Sequence, residues 1–180
     1  MNLCNKARVL ELVNENEIKV RNVSSIENSF IDDFRIGLKL RNNIWEIIGP
    51  VNFGNLTNIK SRELVLSETT LESRRLYLGI SQAEFGLSEK ILGIITTRST
   101  YARLGLEMVR SSFIVAPGFG KSNPTPIVFE IMALHEIAGL STSECYATLS
   151  LFEITCSINI EDINYWQIYP LNLIKEPRSE

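Results

Sequence analysis

The strongest constraint on the fold is a two-residue rhythm that returns along most of the chain. In "FIDDFRIGLKLR" (30–41), Phe34, Ile36, Leu38 and Leu40 alternate with Asp33, Arg35, Gly37 and Lys39. Successive side chains of a strand point to opposite faces, so this spacing predicts a half-buried strand. "IKVRNV", "RELVLSETT", "RRLYLGISQAEFGL", "SSFIVAPGF", "PIVFEIMAL" and "CYATLSLFEI" keep the rhythm, with Gly, Pro and Asn between them. Eight or more short strands so punctuated predict a mainly β chain, a barrel or a jelly-roll-like sandwich. One helix is expected near the start, where Ala7, Val9, Leu10, Leu12 and Val13 can share a face. Residues 49–61, "GPVNFGNLTNIKS", read as a loop.

Composition removes several function classes. At 180 residues the chain suits one domain with a real core. A net charge of -3 gives no basic field for a nucleic-acid backbone, so a nucleic-acid partner is not expected. No apolar run reaches the roughly 18 residues of a membrane span. The N-terminus lacks the apolar stretch of a signal peptide. Cys4, Cys145 and Cys156 are odd in number and widely spaced, which suits reduced thiols. A cytoplasmic protein is the expectation.

The stretch that carries chemistry is "TTRSTYARLGLE" (96–107), entered from the apolar "ILGIIT". Ser99 is expected to cap one short helical turn that closes at Gly105. Arg98 and Arg103 flank the hydroxyls of Ser99 and Thr100, and guanidinium forks suit an anion. The competing reading is a surface turn whose arginines pair with carboxylates such as Glu107. A second feature is Glu130 in "PIVFEIMAL". Facing the core, its ionised form would be disfavoured, as suits a general acid or base. Facing outward, it would be one more polar residue of an alternating strand. His135, the single histidine, lies in "LHEIAG" and reads as an exposed loop residue. No Cys-x-x-Cys or His-x-Glu pattern accompanies it, so zinc is not expected. "PGFGKSNPTP" lacks the spacing of a phosphate-binding loop.

Together these stretches resemble a known family. "TRSTYARLG" is similar to the Arg-Ser-Ser-x-x-Ala-Arg-x-Gly motif of dCTP deaminases, within the trimeric dUTPase-like superfamily. "FIDDFRIGLKLR" resembles that family's early strand, "VAPGF" its Asp-Pro-Gly-Phe turn, and "IVFEI" the strand of its catalytic glutamate. The similarity runs through about residues 5–155. It implies a dUTPase-type distorted β-barrel with short helices, assembled as a homotrimer with sites at subunit boundaries. A domain over 1–158 and a C-terminal arm over 159–180 follow. The resemblance further implies that Glu130 activates water for attack at cytosine C4, while Ser99 and Arg103 hold and polarise the site. Arg98, Thr100 and neighbouring amides would serve the phosphates of a (deoxy)nucleoside triphosphate, which carries magnesium. Ser111, Ser112 and Ala116 would line the sugar and base pocket.

The departures are specific. Ala116 stands where the family has an aspartate facing the sugar, and Phe113 and Ile114 replace a His-Arg pair. About four extra residues separate the turn from Glu130, and the segment that closes over the triphosphate is indistinct in "INYWQIYPLNLIKEPRSE", with Tyr165 and Gln167 as partial substitutes. Two functions are therefore expected: deamination of a cytosine nucleotide, or binding of a nucleotide or nucleotide-derived signal without turnover, acting by sequestration or through a protein partner. A plain dUTPase fits less well, because it would want the carboxylate that Ala116 replaces. A trimer with no ligand would leave the clustered arginines without a role.

Overall fold

The alternation seen in the sequence becomes ten antiparallel strands in the computed structural model, which describes residues 1–49, 60–110 and 113–155. In chain order these are β1 (Asn2–Leu3), α1 (Lys6–Asn14), β2 (Ile18–Arg21), β3 (Ile36–Ile47), β4 (Ser61–Val65) and β5 (Leu76–Leu87). Then come β6 (Ile91–Thr97), α2 (Ser99–Arg103), β7 (Leu106–Glu107), β8 (Ile114–Val115), β9 (Thr125–Ala133) and β10 (Cys145–Glu153). The strand order is β7-β9-β5-β3-β10-β6-β8, with β1 beside β10, β2 beside β5 and β4 beside β3. The mainly β expectation holds, and the sheet curls into a distorted half-barrel.

β3 makes the curl. Its first residues, Ile36–Lys39, pair with β10, and its second half pairs with β5 and β4. Between the partners Leu40↔Ser81 and Ile44↔Gly79 the register shifts, so Arg41 and Asn42 bulge from the ladder while Asn43 already pairs with Val65 of β4. Bulges bend a strand and sharpen its twist, which lets one strand turn a corner between two sheets. The opposite strand breaks register at the same corner, between Ile80 and Glu84. Two side chains repair the lost ladder bonds there. The fully buried Ser81 hydroxyl donates to Ala83 O at 2.5 Å and accepts from Ile127 N at 2.8 Å. Gln82 Nε2 donates to the carbonyls of Leu40 and Thr142, each at 2.8 Å. An Arg41–Glu84 ion pair at 2.8 Å covers the bend.

Inward-facing residues of both halves make one core: Leu38, Leu40, Ile44, Phe85, Phe129, Ile131, Tyr146 and Leu149 are buried in it. Burying a side chain of this size contributes about 1.5–3 kcal/mol. α1 lays Val9 and Leu12 against this core, and its N-cap is Asn5, whose side chain accepts from Arg8 N at 2.9 Å. The alternation of "FIDDFRIGLKLR" holds only from Ile36 onward. Phe34 stays exposed because the Asp32 carboxylate accepts from Phe34 N and pairs with Arg35, turning the chain just before the strand. Among the described residues, no helix is long and apolar enough to cross a membrane. Most of the predicted 49–61 loop and the 159–180 arm lie outside the described residues.

Candidate functional site

β6 buries Ile91 and Ile95 and delivers the chain to α2. Arg98, not Ser99, holds the N-cap position. Its backbone is extended (φ -63, ψ 133) because Arg98 N donates to Tyr146 O at 2.9 Å, one rung beyond the β6–β10 pairing. Ser99 is thus the first helical residue, and no side chain caps the turn, which corrects the predicted cap. Gly105 closes the turn as expected, at φ +78, where a side chain is strained.

The two arginines of the motif have different surroundings. Arg98 Nη1 donates to Cys145 O at 3.0 Å, and the guanidinium lies over the Tyr101 ring, 5.8 Å from its centroid. Tyr101 packs on Tyr146, with centroids 4.8 Å apart, and its hydroxyl donates to Glu144 at 2.8 Å. Burial pushes the Tyr101 phenol up, and the bond to Glu144 adds to it. Burial likewise raises the Cys145 thiol. Arg98 therefore anchors α2 to the start of β10. Arg103 is exposed at the end of α2, without a side-chain partner among the described residues. Glu107 is met by Arg110 at 3.7 Å and not by either arginine of the motif, so the charged-corner pairing does not form. Ser99 and Thr100 are exposed beside Arg103.

Glu130 sits mid-strand in β9, where every second residue, from Thr125 to Ala133, is buried. Glu130 belongs to the other set. It is half-buried on the outward face with Val128 and Met132, and opposite Leu78 of β5, so of its two readings the outward one holds and the core-facing one does not. The signal that singled it out, a glutamate within an apolar strand, also occurs in "NIWEII", and there the carboxylate is the buried one. Glu46 is 2% exposed and held by Arg62 at 2.5 Å and Arg75 at 3.6 Å. Sequence reasoning passed over that residue.

The fold does not bring Glu130 to the motif within one chain. Leu106 pairs with Ala133, Glu130 lies three residues beyond that rung, and Arg103 three residues before it on the other side. At strand and helix rises this separates them by roughly 15 Å. Ala116 opens a β-turn, with Phe119 N bonded to Ala116 O at 3.1 Å and Gly118 at φ +83. Its left-handed Gly118 after Pro117 suits a type II turn. Ser111 and Ser112 lie outside the described residues. His135 is exposed, as predicted, and its ring packs on Gly105: a Cβ there would stand 2.7 Å from His135 Cε1. No group of three or more His, Cys, Asp or Glu among the described residues could hold a metal ion.

A model of the dCTP deaminase-like family matches residues 4–139. The chain belongs to that family. A search of curated protein sequences finds no match. Among solved structures, the dCTP deaminase of Agrobacterium tumefaciens is similar with a TM-score of 0.60 at 12% identity, over 83% of this chain and 46% of that one. The chain thus spans about half the length of that deaminase. The dUTPase of Staphylococcus bacteriophage 80alpha, solved with dUpNHpp, aligns over 81% of this chain and 88% of its own at 13% identity, with a TM-score of 0.49. The dUTPase of EIAV aligns over 73% of this chain at 12% identity, with a TM-score of 0.41. The family's dUTPase-type fold is the one described above.

Proposed function

We infer that the protein binds a cytosine nucleotide in a site shared between copies of the chain and deaminates it. The observation that carries this reading is the pair of outward-facing groups, Arg103 at the end of α2 and Glu130 on β9, too far apart to serve one small ligand within a chain. A homotrimer would set Arg103 of one copy beside Glu130 of the next. Glu130 takes a proton from water as its oxygen bonds to C4 of the base. The C4–N3 π pair takes that proton at N3, the hydroxyl proton passes through Glu130 to the exocyclic nitrogen, and the C4–N bond breaks as C4=O forms, so that ammonia leaves and the uracil nucleotide is the product. Arg103 and Ser99 hold the ligand, Thr100 assists at the phosphates, and magnesium neutralises them. Arg98 acts through its hold on α2. Ser111, Ser112 and Ala116 are assigned to the sugar and base.

One observation favours a second reading, nucleotide binding without turnover: Ala116 offers no carboxylate to the sugar. Incubation with dCTP and magnesium, followed by chromatography, separates the two. Under the first reading dUTP accumulates, Glu130→Gln abolishes it while keeping affinity, and Arg103→Ala weakens binding. Mixing the two variants, at a dCTP concentration where neither alone turns it over appreciably, then restores part of the activity, because a site can draw each intact residue from a different copy. Failure of the mixture to recover activity would refute the shared site, and retention of unaltered dCTP would support the binder.

A further inference from the structure

Arg110 lies outside every motif of the sequence, yet its guanidinium reaches the face that carries Glu130. Its Nη1 donates to the Met132 sulfur and stands 3.7 Å from the Glu107 carboxylate. Glu107 and Met132 are direct partners across β7 and β9, and Met132 is the next outward residue after Glu130. The guanidinium thus reaches the outward face of β9 at Met132, two residues along the strand from Glu130. It remains 41% exposed.

Its hydrogen bonding there is largely unspent. A guanidinium has five N–H donors, a thioether is a weak acceptor, and a carboxylate at 3.7 Å is beyond a good hydrogen bond. These two are its partners among the described residues. Leu78 stands opposite Glu130 and Leu76 opposite Met132 across the β5–β9 ladder, and a charge-assisted hydrogen bond made on this face is stronger than a neutral one.

We propose that Arg110 is a ligand-binding residue beside Glu130, donating to an oxygen of the nucleotide, either the base carbonyl or a phosphate. The proposal rests on the nucleotide site described above. Losing a charge-assisted hydrogen bond to the ligand should weaken binding roughly 10- to 100-fold.

The test uses the full chain as Glu130→Gln, so that the ligand is not consumed, with and without Arg110→Met. Methionine keeps the stem's packing on Met132 and removes the donors. Arg110→Lys is read in its place if the methionine variant lowers the melting temperature. Affinities for dCTP with magnesium and for deoxycytidine are measured by calorimetry or ligand-observed NMR. An equal loss for both ligands supports a contact to the base carbonyl, and a loss confined to dCTP supports a phosphate. Unchanged affinity for both, in protein that still binds dCTP and loses it on Arg103→Ala, overturns the role of Arg110 and leaves the site standing. Absence of nucleotide binding before Arg110 is changed overturns the site and this assignment together.

Discussion

Replacing Gly105 by alanine is the most direct test of how the RSTYARLG turn is built. Gly105 has φ +78, and a Cβ would stand 2.7 Å from His135 Cε1, 3.1 Å from its Nδ1 and 3.2 Å from Leu134 Cβ. Holding a non-glycine residue in the left-handed region costs about 1–3 kcal/mol. The histidine is exposed and can rotate away, so the backbone term should dominate. For a domain of 180 residues, this corresponds to a fall in melting temperature of roughly 2–12 °C, followed by circular dichroism. Adding His135→Ala to Gly105→Ala should recover only a small part of the loss. The Gly105 carbonyl also accepts from Leu134 N at 2.8 Å, so the substitution should loosen the end of α2 and weaken any ligand held by Arg103. An unchanged melting temperature would mean that the left-handed turn is not required. Full rescue by His135→Ala would make the cost steric and not conformational.

Two other perturbations follow from the packing. Ser81→Ala leaves Ile127 N–H without its acceptor inside the core, at a cost of about 1–3 kcal/mol, and hydrogen exchange at the Ile127 amide should accelerate; an unaltered rate would contradict the assigned bond. Arg8 binds Glu153 through Nε at 3.1 Å and Nη2 at 2.8 Å, and this holds the Glu153 carboxyl below its usual range. A carboxyl so depressed contributes above its unfolded pKa of about 4.3 and loses that contribution as pH falls through the lower folded value. Melting temperatures should therefore fall more steeply below about pH 4 in the native chain than in Glu153→Gln, and parallel profiles would rule the linkage out.

The sheet was legible because burial on one face leaves a period-two trace. Each segment named as a strand is one, or contains one, and Val9 and Leu12 mark the face of α1 that packs. Gly105 was legible for the same kind of reason, since a left-handed residue after a helical turn favours glycine. What escaped was set by pairing between distant segments. Ser99 was the better cap by composition, but the backbone bond from Arg98 to Tyr146, 48 positions away, fixes where the helix starts. Glu46 and Glu130 give the same local signal, but Glu46 shares the parity of the buried Leu38, Leu40 and Ile44 on β3, whereas Glu130 falls between the buried Phe129 and Ile131 on β9. Arg98 reads as a free cation until the Cys145 carbonyl is seen beside it. Arg110 belongs to no pattern, and its position next to Met132 comes from the pairing of β7 with β9.

The division of β3 between two sets of partners has a consequence for how the chain comes apart. One continuous backbone holds β10 at its first half and β5 and β4 at its second. Among the described residues the two parts of the sheet are joined through β3, so opening one half loosens the strand on which the other is also paired. Global unfolding should therefore be a single cooperative event, with the amides on both sides of the corner exchanging through the same opening.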